Sequence, residues 1–491
     1  MDANAMTGAE HYLDQYRALA DALPGRGLGW LQAQRDANLA RFAQVGFPTQ
    51  RDEDWRYTAL KPITAKVFHA VGAKAHDAVS AKAHDAVSAK AHDAVSAKAH
   101  DVADGARASE QAALASSSVE AFALDGLRSH RVVFVDGLFA PELSCDDALD
   151  GVSVESLAQV LERRPEQIER AFGSAMPRDA HGFTALNNAH SRDGAVVMLA
   201  PRARATTPLE LLFIHRASGA LAQPRNLIIA GSGSQVALIE RHVSAQGDAT
   251  DGSGALTNSV TEILLDDDAQ VDYHLLQTQS PSAYHICGVW ARQSRGSRLR
   301  CHTATLGGAL VRNDLSVELA GEGAHCDMLG LYSIAGAQHV DNHTTMVHAA
   351  EHCTSRELYK GVLAQRSRAV FHGRIKVEPG AQKTDASQAN NNLLLSRHAE
   401  IDSKPQLEIY ADDVKCAHGA TVGQLDADAL FYLRARGIDE AQAREMLTFA
   451  FVNDVVGEIE IAALQRALEA MLATRLARAD NASATLDPTR H

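Results

Sequence analysis

The chain has 491 residues, 46% hydrophobic and 22% charged, an ordinary globular composition and long enough for roughly three domains. Its 47 Lys and Arg face 61 Asp and Glu, a net charge of −14 with His neutral, which argues against non-specific nucleic-acid binding and against a polybasic membrane anchor. Runs such as Val132–Val135 fall far short of the ~20 apolar residues a membrane span needs, the early acids of MDANAMTGAEHYLDQ are unlike a secretory leader, and six scattered cysteines without a C-x-x-C pair fit a reducing cytoplasm.

In chain order, His11–Leu23 and Leu28–Phe42 carry apolar residues at helical spacing, separated by Pro24, Gly25 and Gly27. The polar run Arg51-Asp52-Glu53-Asp54-Trp55-Arg56-Tyr57-Thr58 reads as a capped turn with two surface-packed aromatics. Residues 73–104 are a repeat: AKAHDAVS begins at 73, 81 and 89, and AKAHDVAD follows at 97. A period of eight leaves successive units about 80° out of phase on a helix, so no apolar stripe forms. The segment is expected to be a low-complexity linker whose deletion spares folding, although His76, His84, His92 and His100 recur as potential metal ligands. Arg131–Val135 reads as a strand, Asp136-Gly137 as a turn, and Val154–Leu161 and Pro165–Phe172 as helices.

From residue 195 the texture changes to short β-like runs: Ala195–Leu199, Leu209–His215, Asn226–Ala230, Gln235–His242, Ser259–Leu265, Ala269–Gln277, Tyr284–Ala291 and Leu299–Thr305. Leu315–Leu319, His325–Ser333, His339–His348, Leu358–Leu363, Ala369–Val377 and Ala399–Tyr410 continue them, with Gly and Asp clusters between. Sandwich, barrel and β-helix all fit this pattern. Helical period returns in Ala429–Arg436, ended by Gly437. Asp439 and Gln442 form a capping box, Ala443, Leu447, Ala450 and Phe451 share an apolar face, Glu458–Leu476 is amphipathic, and Ala479–His491 reads as a frayed tail. The expected division is therefore 1–72 helical, 73–104 linker, 105–194 mixed α/β, 195–425 β core and 426–491 helical.

The chain lacks the common catalytic motifs. Gly380–Thr384 has no phosphate-loop glycine frame, Gly231-Ser232-Gly233 lacks the third glycine of a dinucleotide fingerprint, and no G-x-S-x-G elbow occurs. In His339-Val340-Asp341-Asn342-His343, Val340 stands where a zincin needs Glu, and on a strand the three polar residues share one face, a hydrogen-bonded row rather than a metal site. In Cys416-Ala417-His418 two potential metal ligands lie two residues apart, on one face of a strand. Two ligands are too few for an iron–sulfur cluster, which takes about four. A buried Cys beside a hydrogen-bonded His is the structural alternative; a metal site there would need ligands from another surface.

The run Ala399-Glu400-Ile401-Asp402-Ser403-Lys404-Pro405-Gln406-Leu407-Glu408-Ile409-Tyr410 continues into Ala411-Asp412-Asp413-Val414-Lys415-Cys416-Ala417-His418-Gly419-Ala420-Thr421, with Phe431-Tyr432-Leu433-Arg434-Ala435-Arg436-Gly437-Ile438 beyond. It closely resembles the SufB/SufD family of the Suf iron–sulfur cluster assembly system, and the Cys-Ala-His-Gly-Ala-Thr form resembles its SufD branch. Phe371-His372-Gly373, Gln382-Lys383-Thr384-Asp385, Phe183-Thr184-Ala185-Leu186-Asn187 and Glu53–Thr58 carry the same resemblance; the octapeptide repeat does not.

The resemblance implies a mainly β chain, a right-handed parallel β-helix flanked by helical N- and C-terminal domains. It implies a non-enzymatic scaffold subunit that pairs with SufB through the β-helix and with the SufC ATPase through the C-terminal helices, in a SufB–SufC2–SufD complex that builds a cluster and passes it to apoproteins. ATP then belongs to SufC. His418 and Cys416 map to the site of a transient Fe-S cluster shared with SufB. Phe431, Tyr432, Arg436, Gly437 and Phe451 are the candidate SufC contacts. A homodimer, and a role in iron acquisition, are further family-level implications. Two other functions compete: a β-helix carbohydrate lyase, which needs a row of acidic or basic residues in a groove, and a metal store built on the repeat histidines.

Overall fold

The computed structural model describes residues 3–71, 119–145, 147–177, 180–216, 219–245 and 254–486; the octapeptide repeat lies outside the described residues, as do the last five. Among the described residues strands account for 40% and helices for 25%, so strands set the architecture, a β-solenoid of about eight turns with helical regions at both ends.

Two parallel sheets grow side by side. One runs from Glu400–Ile409 through Arg368–Val377, His339–His348, Leu310–Leu319 and Tyr284–Gln293 to Leu256–Leu265 and beyond. The other runs from Lys415–Gly423 through Asp385–Leu394, Thr354–Leu363, His325–Ile334 and Arg298–Thr305 to Gln270–Gln277 and beyond. The chain alternates between the sheets, so each turn adds one strand to each. Register partners Leu310, His339 and Arg368 are each 29 residues apart. The sheets also take in His130–Val135, parallel to Leu209–His215, and Val152–Ser156, antiparallel to Ala195–Leu199.

The corners explain the Gly and Asp punctuation. Gly233, Asp268, Gly296, Gly323, His352 and Lys383 all sit at φ between 58° and 68°. Each backbone N–H donates to a carbonyl of the next turn, as from Gly296 to Glu322 and from Gly323 to Glu351. Only a left-handed residue turns the chain at that corner while keeping this ladder, so Gly, or a polar residue that tolerates the strain, recurs there.

Alternate residues point inward and fill the bore. One continuous cluster runs from Val132 and Phe134 to Ala386, Ala399 and Ala411, and includes Cys287, Cys301, Cys326 and Cys353. The N-terminal helices Ala3–Leu19 and Gly29–Val45 pack with Gly182–His190 on the outside of the first sheet, through Tyr12, Phe42, Phe47, Trp55 and Phe183. Asn187 fastens that layer, donating to the carbonyls of Pro224 (3.1 Å) and Asn258 (2.7 Å). The C-terminal helices Glu440–Val456 and Ala462–Leu486 cover the second sheet, where Val452, Val455, Leu464 and Leu468 meet Ile239, Leu276, Leu329 and Leu331. No helix among the described residues is long and apolar enough to cross a membrane.

Several expectations need correction. Val154–Leu161 is split: residues to Ser156 pair with Ala195–Leu199, and Ser156 then caps a helix from Leu157 to Arg163, accepting from the Gln159 N–H. Pro165–Phe172 holds only a single 3-10 turn at Pro165–Gln167, followed by irregular turns. Trp55 is buried, not surface-packed; it stacks on Phe183 at 5.8 Å, and the Arg312 guanidinium lies 3.9 Å from its ring centre. The last helix continues to Leu486, into the segment Ala479–His491 expected to fray, whose last five residues lie outside those described. Asp439 does cap its helix, accepting from the Gln442 N–H at 3.0 Å. The buried face of that helix is Ala443, Thr448, Val452, Val455 and Val456, whereas Ala450 is exposed.

Candidate functional site at the open end of the solenoid

Cys416 and His418 both lie on Lys415–Gly423, the last strand of the second sheet. Its inner edge pairs with Asp385–Leu394, setting Cys416 over Ala386 and His418 over Gln388. Its outer edge pairs with no strand among the described residues, and neither does that of Glu400–Ile409 on the first sheet. On Asp385–Leu394 the inward residues are Ala386, Gln388, Asn390 and Asn392, all buried. By register, Cys416, His418, Ala420 and Val422 take the same inward orientation one turn higher. Cys416 is half-buried against the core cluster, and His418 is exposed because no further turn closes over it. The structure thus brings the two predicted ligands onto one face, at the mouth of the bore.

Ile409, Tyr410 and Val422 are exposed around the same end. A parallel sheet with a free edge and an apolar rim is a template for another sheet to join. The chemistry at this mouth is a soft sulfur donor and an imidazole, with the remaining coordination positions open. Burial, and secondarily the nearby Asp385 carboxylate, raise the Cys416 thiol above its ordinary value. Cys416 is therefore held toward the thiol form and would have to release a proton to act as a metal ligand.

Sequence reasoning missed the groups beneath His418. Gln388 donates from Nε2 to Glu357 Oε2 at 2.7 Å, one further turn down, and Glu357 is completely enclosed. Its carboxyl is pushed up to about 7 by burial. On the same strand Asn390 donates to the Tyr332 hydroxyl at 3.2 Å, and that hydroxyl donates to Asn392 Oδ1 at 2.5 Å. The usable signal was a spacing of about one turn, which puts Glu357, Gln388 and His418 in one column.

The predicted partner-contact residues separate into two groups. Phe431 and Tyr432, on the helix Ala427–Ala435, are 72% and 56% exposed, more than a core role allows. Arg436 covers Tyr432, its guanidinium 4.7 Å from the ring centre and donating to the hydroxyl at 2.7 Å. Gly437 ends the helix at φ 87°. Phe451 instead turns toward the solenoid, where the Lys360 ammonium lies 4.5 Å from its ring centre.

The polar row on His339–His348 forms as expected. His339 Nε2 lies 2.9 Å from the Thr58 hydroxyl, Thr58 donates to Asp341 at 2.5 Å, and His343 Nε2 is 3.1 Å from Asp341. Burial pushes the Asp341 carboxyl up, but Arg312 and then His343 outweigh it and hold it well below the usual range.

The family model for the SufBD core domain of the SUF system for FeS cluster assembly matches residues 213–451, and the model for the SufBD N-terminal region matches 6–88 and 108–211. An iron–sulfur cluster assembly SufBD family protein of Synechocystis is 31% identical over 434 residues, 87% of either chain. The iron–sulfur cluster assembly protein SufD of Escherichia coli is 29% identical over 449 residues, 90% of this chain and 92% of its own. The SufD of Bacillus subtilis is 25% identical over 324 residues, 66% of this chain and 73% of its own.

Proposed function

Because the chain belongs to the SufBD family of iron–sulfur cluster assembly proteins, we propose that it is a SufD-type scaffold subunit whose open solenoid end joins a SufB-type partner. The nascent cluster is the product, held between Cys416 and His418 on this side and ligands of the partner on the other. The observation that carries this reading is the terminal strand, where two ligand side chains converge at a sheet edge that no strand occupies among the described residues. Incomplete ligation suits a scaffold, since two donors hold a cluster more loosely than a complete thiolate set and let it pass to an apoprotein.

On this reading the Phe431 and Tyr432 surface docks a SufC-type ATPase, which supplies the nucleotide chemistry. The helices of 427–486 carry its motion to the solenoid, because Val455, Leu464 and Leu468 pack directly on the second sheet. The chain itself performs no catalysis and works in the cytoplasm, and a contribution to iron entry belongs to the same site. The test is anaerobic co-purification with SufB- and SufC-type proteins, beside a truncation after Gln424. Recovery of both partners with the full chain, and loss of the ATPase alone on truncation, supports the reading. Failure of the full chain to bring either partner down defeats it.

A further inference from the structure

We propose that Asp54, His343 and His372 form a second metal site, for a divalent ion of Fe2+ or Zn2+ type, that fastens the N-terminal segment to the flank of the solenoid. His343 and His372 are direct register partners on neighbouring strands of the first sheet. Their rings are 4.7 Å apart between centres and nearly perpendicular, at 77°. Asp54 reaches them from the 3-10 turn Glu53–Trp55, its Oδ1 3.7 Å from His372 Nδ1. One ligand atom from each of the three residues falls within 4.8 Å of the others. They line a small cavity with Glu53, Tyr57, Asp341, Val370 and Lys404, whose ammonium is paired with Glu53 at 2.7 Å.

The outer partners set the orientation that a ligating imidazole needs. His343 Nε2 faces Asp341 at 3.1 Å, and Asp341 is itself held by Arg312 (2.8 Å) and Thr58 (2.5 Å). His372 Nε2 faces Gln406 Oε1 at 3.4 Å. In each ring the engaged Nε2 leaves Nδ1 for an ion, the arrangement in which a carboxylate or amide oxygen steers a metal-bound histidine. Tetrahedral ligands about 2.1 Å from an ion lie about 3.4 Å apart, so the trio must contract. The adjustment falls to the Asp54 side chain, which is 68% exposed on a short turn, whereas both histidines are held on paired strands. Two imidazoles, one carboxylate and solvent make a borderline donor set that suits Fe2+ or Zn2+ over Mg2+ or Ca2+. The site lies on the outside of the first sheet and does not involve the terminal strand, so it stands or falls independently of the scaffold reading.

The test uses the full chain, metal-free and anaerobic, titrated with Co2+ as a spectroscopic probe and with Zn2+ and Fe2+ by calorimetry. Compared with the wild type are Asp54→Asn, His372→Asn and Cys416→Ser. Asp54→Asn changes an exposed side chain, so it reads binding even if His372→Asn perturbs folding. The proposal expects one equivalent of metal that Asp54→Asn and His372→Asn lose or bind at least tenfold more weakly and that Cys416→Ser retains. That equivalent should show Co2+ ligand-field bands without thiolate charge transfer, and Zn2+ should raise the thermal midpoint of the wild type but not of Asp54→Asn. Equal stoichiometry and affinity in wild type and both Asp54→Asn and His372→Asn overturns the proposal, and the trio is then a polar clamp.

Discussion

His418 stands directly over Gln388 in the register of the last two strands, and the Gln388 amide nitrogen is committed to Glu357 on the turn below. Gln388 Oε1 has no hydrogen-bond partner among the described residues, which leaves an acceptor beneath the imidazole. The exposed end of the column therefore rests on a buried carboxyl, and its ionisation has a measurable cost.

That cost gives a pH-dependent stability. Burial pushes the Glu357 carboxyl up to about 7, above an ordinary value near 4.5, and hydrogen bonds offset it only in part. A carboxyl with a raised folded-state value favours folding fully below its unfolded value, and that contribution is lost as pH rises through 7. Glu357→Gln should then change little at pH 4.5 and gain up to about 3 kcal/mol relative to wild type at pH 8. Urea unfolding at the two pH values checks this; a difference independent of pH contradicts it.

Arg312 joins the N-terminal layer to the solenoid. It is buried, donates to Asp314 (2.7 Å), to Asp341 (2.8 Å) and to the Asp54 carbonyl (2.6 Å), and covers Trp55. Arg312→Met leaves Asp341 enclosed without its cation, an effect of about 3–5 kcal/mol. Denaturant unfolding should show that loss, and limited proteolysis should open the chain between Gly46 and Leu60. Wild-type resistance in the variant contradicts this role.

The C-terminal helices depend on Lys360. Its ammonium is almost fully enclosed and donates to the Phe451 carbonyl (2.7 Å) and Asp454 (2.5 Å). Lys360→Met should cost about 1–3 kcal/mol by leaving an acceptor unsatisfied and should speed hydrogen exchange in Glu440–Val456 more than in Tyr284–Gln293. Uniform exchange rates across both would show that Lys360 is not the clamp.

Replacing Phe431 and Tyr432 together by Ser should abolish ATPase co-purification while changing stability by less than about 1 kcal/mol, since neither side chain packs in a core. ATPase binding at the wild-type level would remove this helix from the docking surface.

Much of this architecture was legible because its punctuation is repetitive. The left-handed corner column from Gly233 to Lys383 demands Gly or a tolerant polar residue once per turn, and apolar runs between those marks read as strands. Among the strands that escape the pattern is Asp385–Leu394, whose inward positions include Gln388, Asn390 and Asn392 instead of aliphatics. The Gln388 and Asn390 amide nitrogens donate to Glu357 and Tyr332 on other turns, which no local pattern reveals. Val152–Ser156 was absorbed into a helix because Val154, Leu157, Val160 and Leu161 keep helical spacing across the boundary at Ser156. At the site, the shared face of Cys416 and His418 followed from period two alone, but their place at a free edge depends on where the stack ends. The meeting of Asp54 with His372 requires the N-terminal layer to fold over the first sheet, and the burial of Trp55 depends on the same packing.

The most direct test of the scaffold account is to purify the assembled complex anaerobically with wild-type chain and with His418→Ala, and to assay iron and acid-labile sulfide in each. The account predicts that the variant keeps both partners, because His418 is exposed and supports no core contact, but loses iron and sulfide together. Full iron and sulfide in an intact variant complex would contradict it and move the cluster away from the open end of the solenoid.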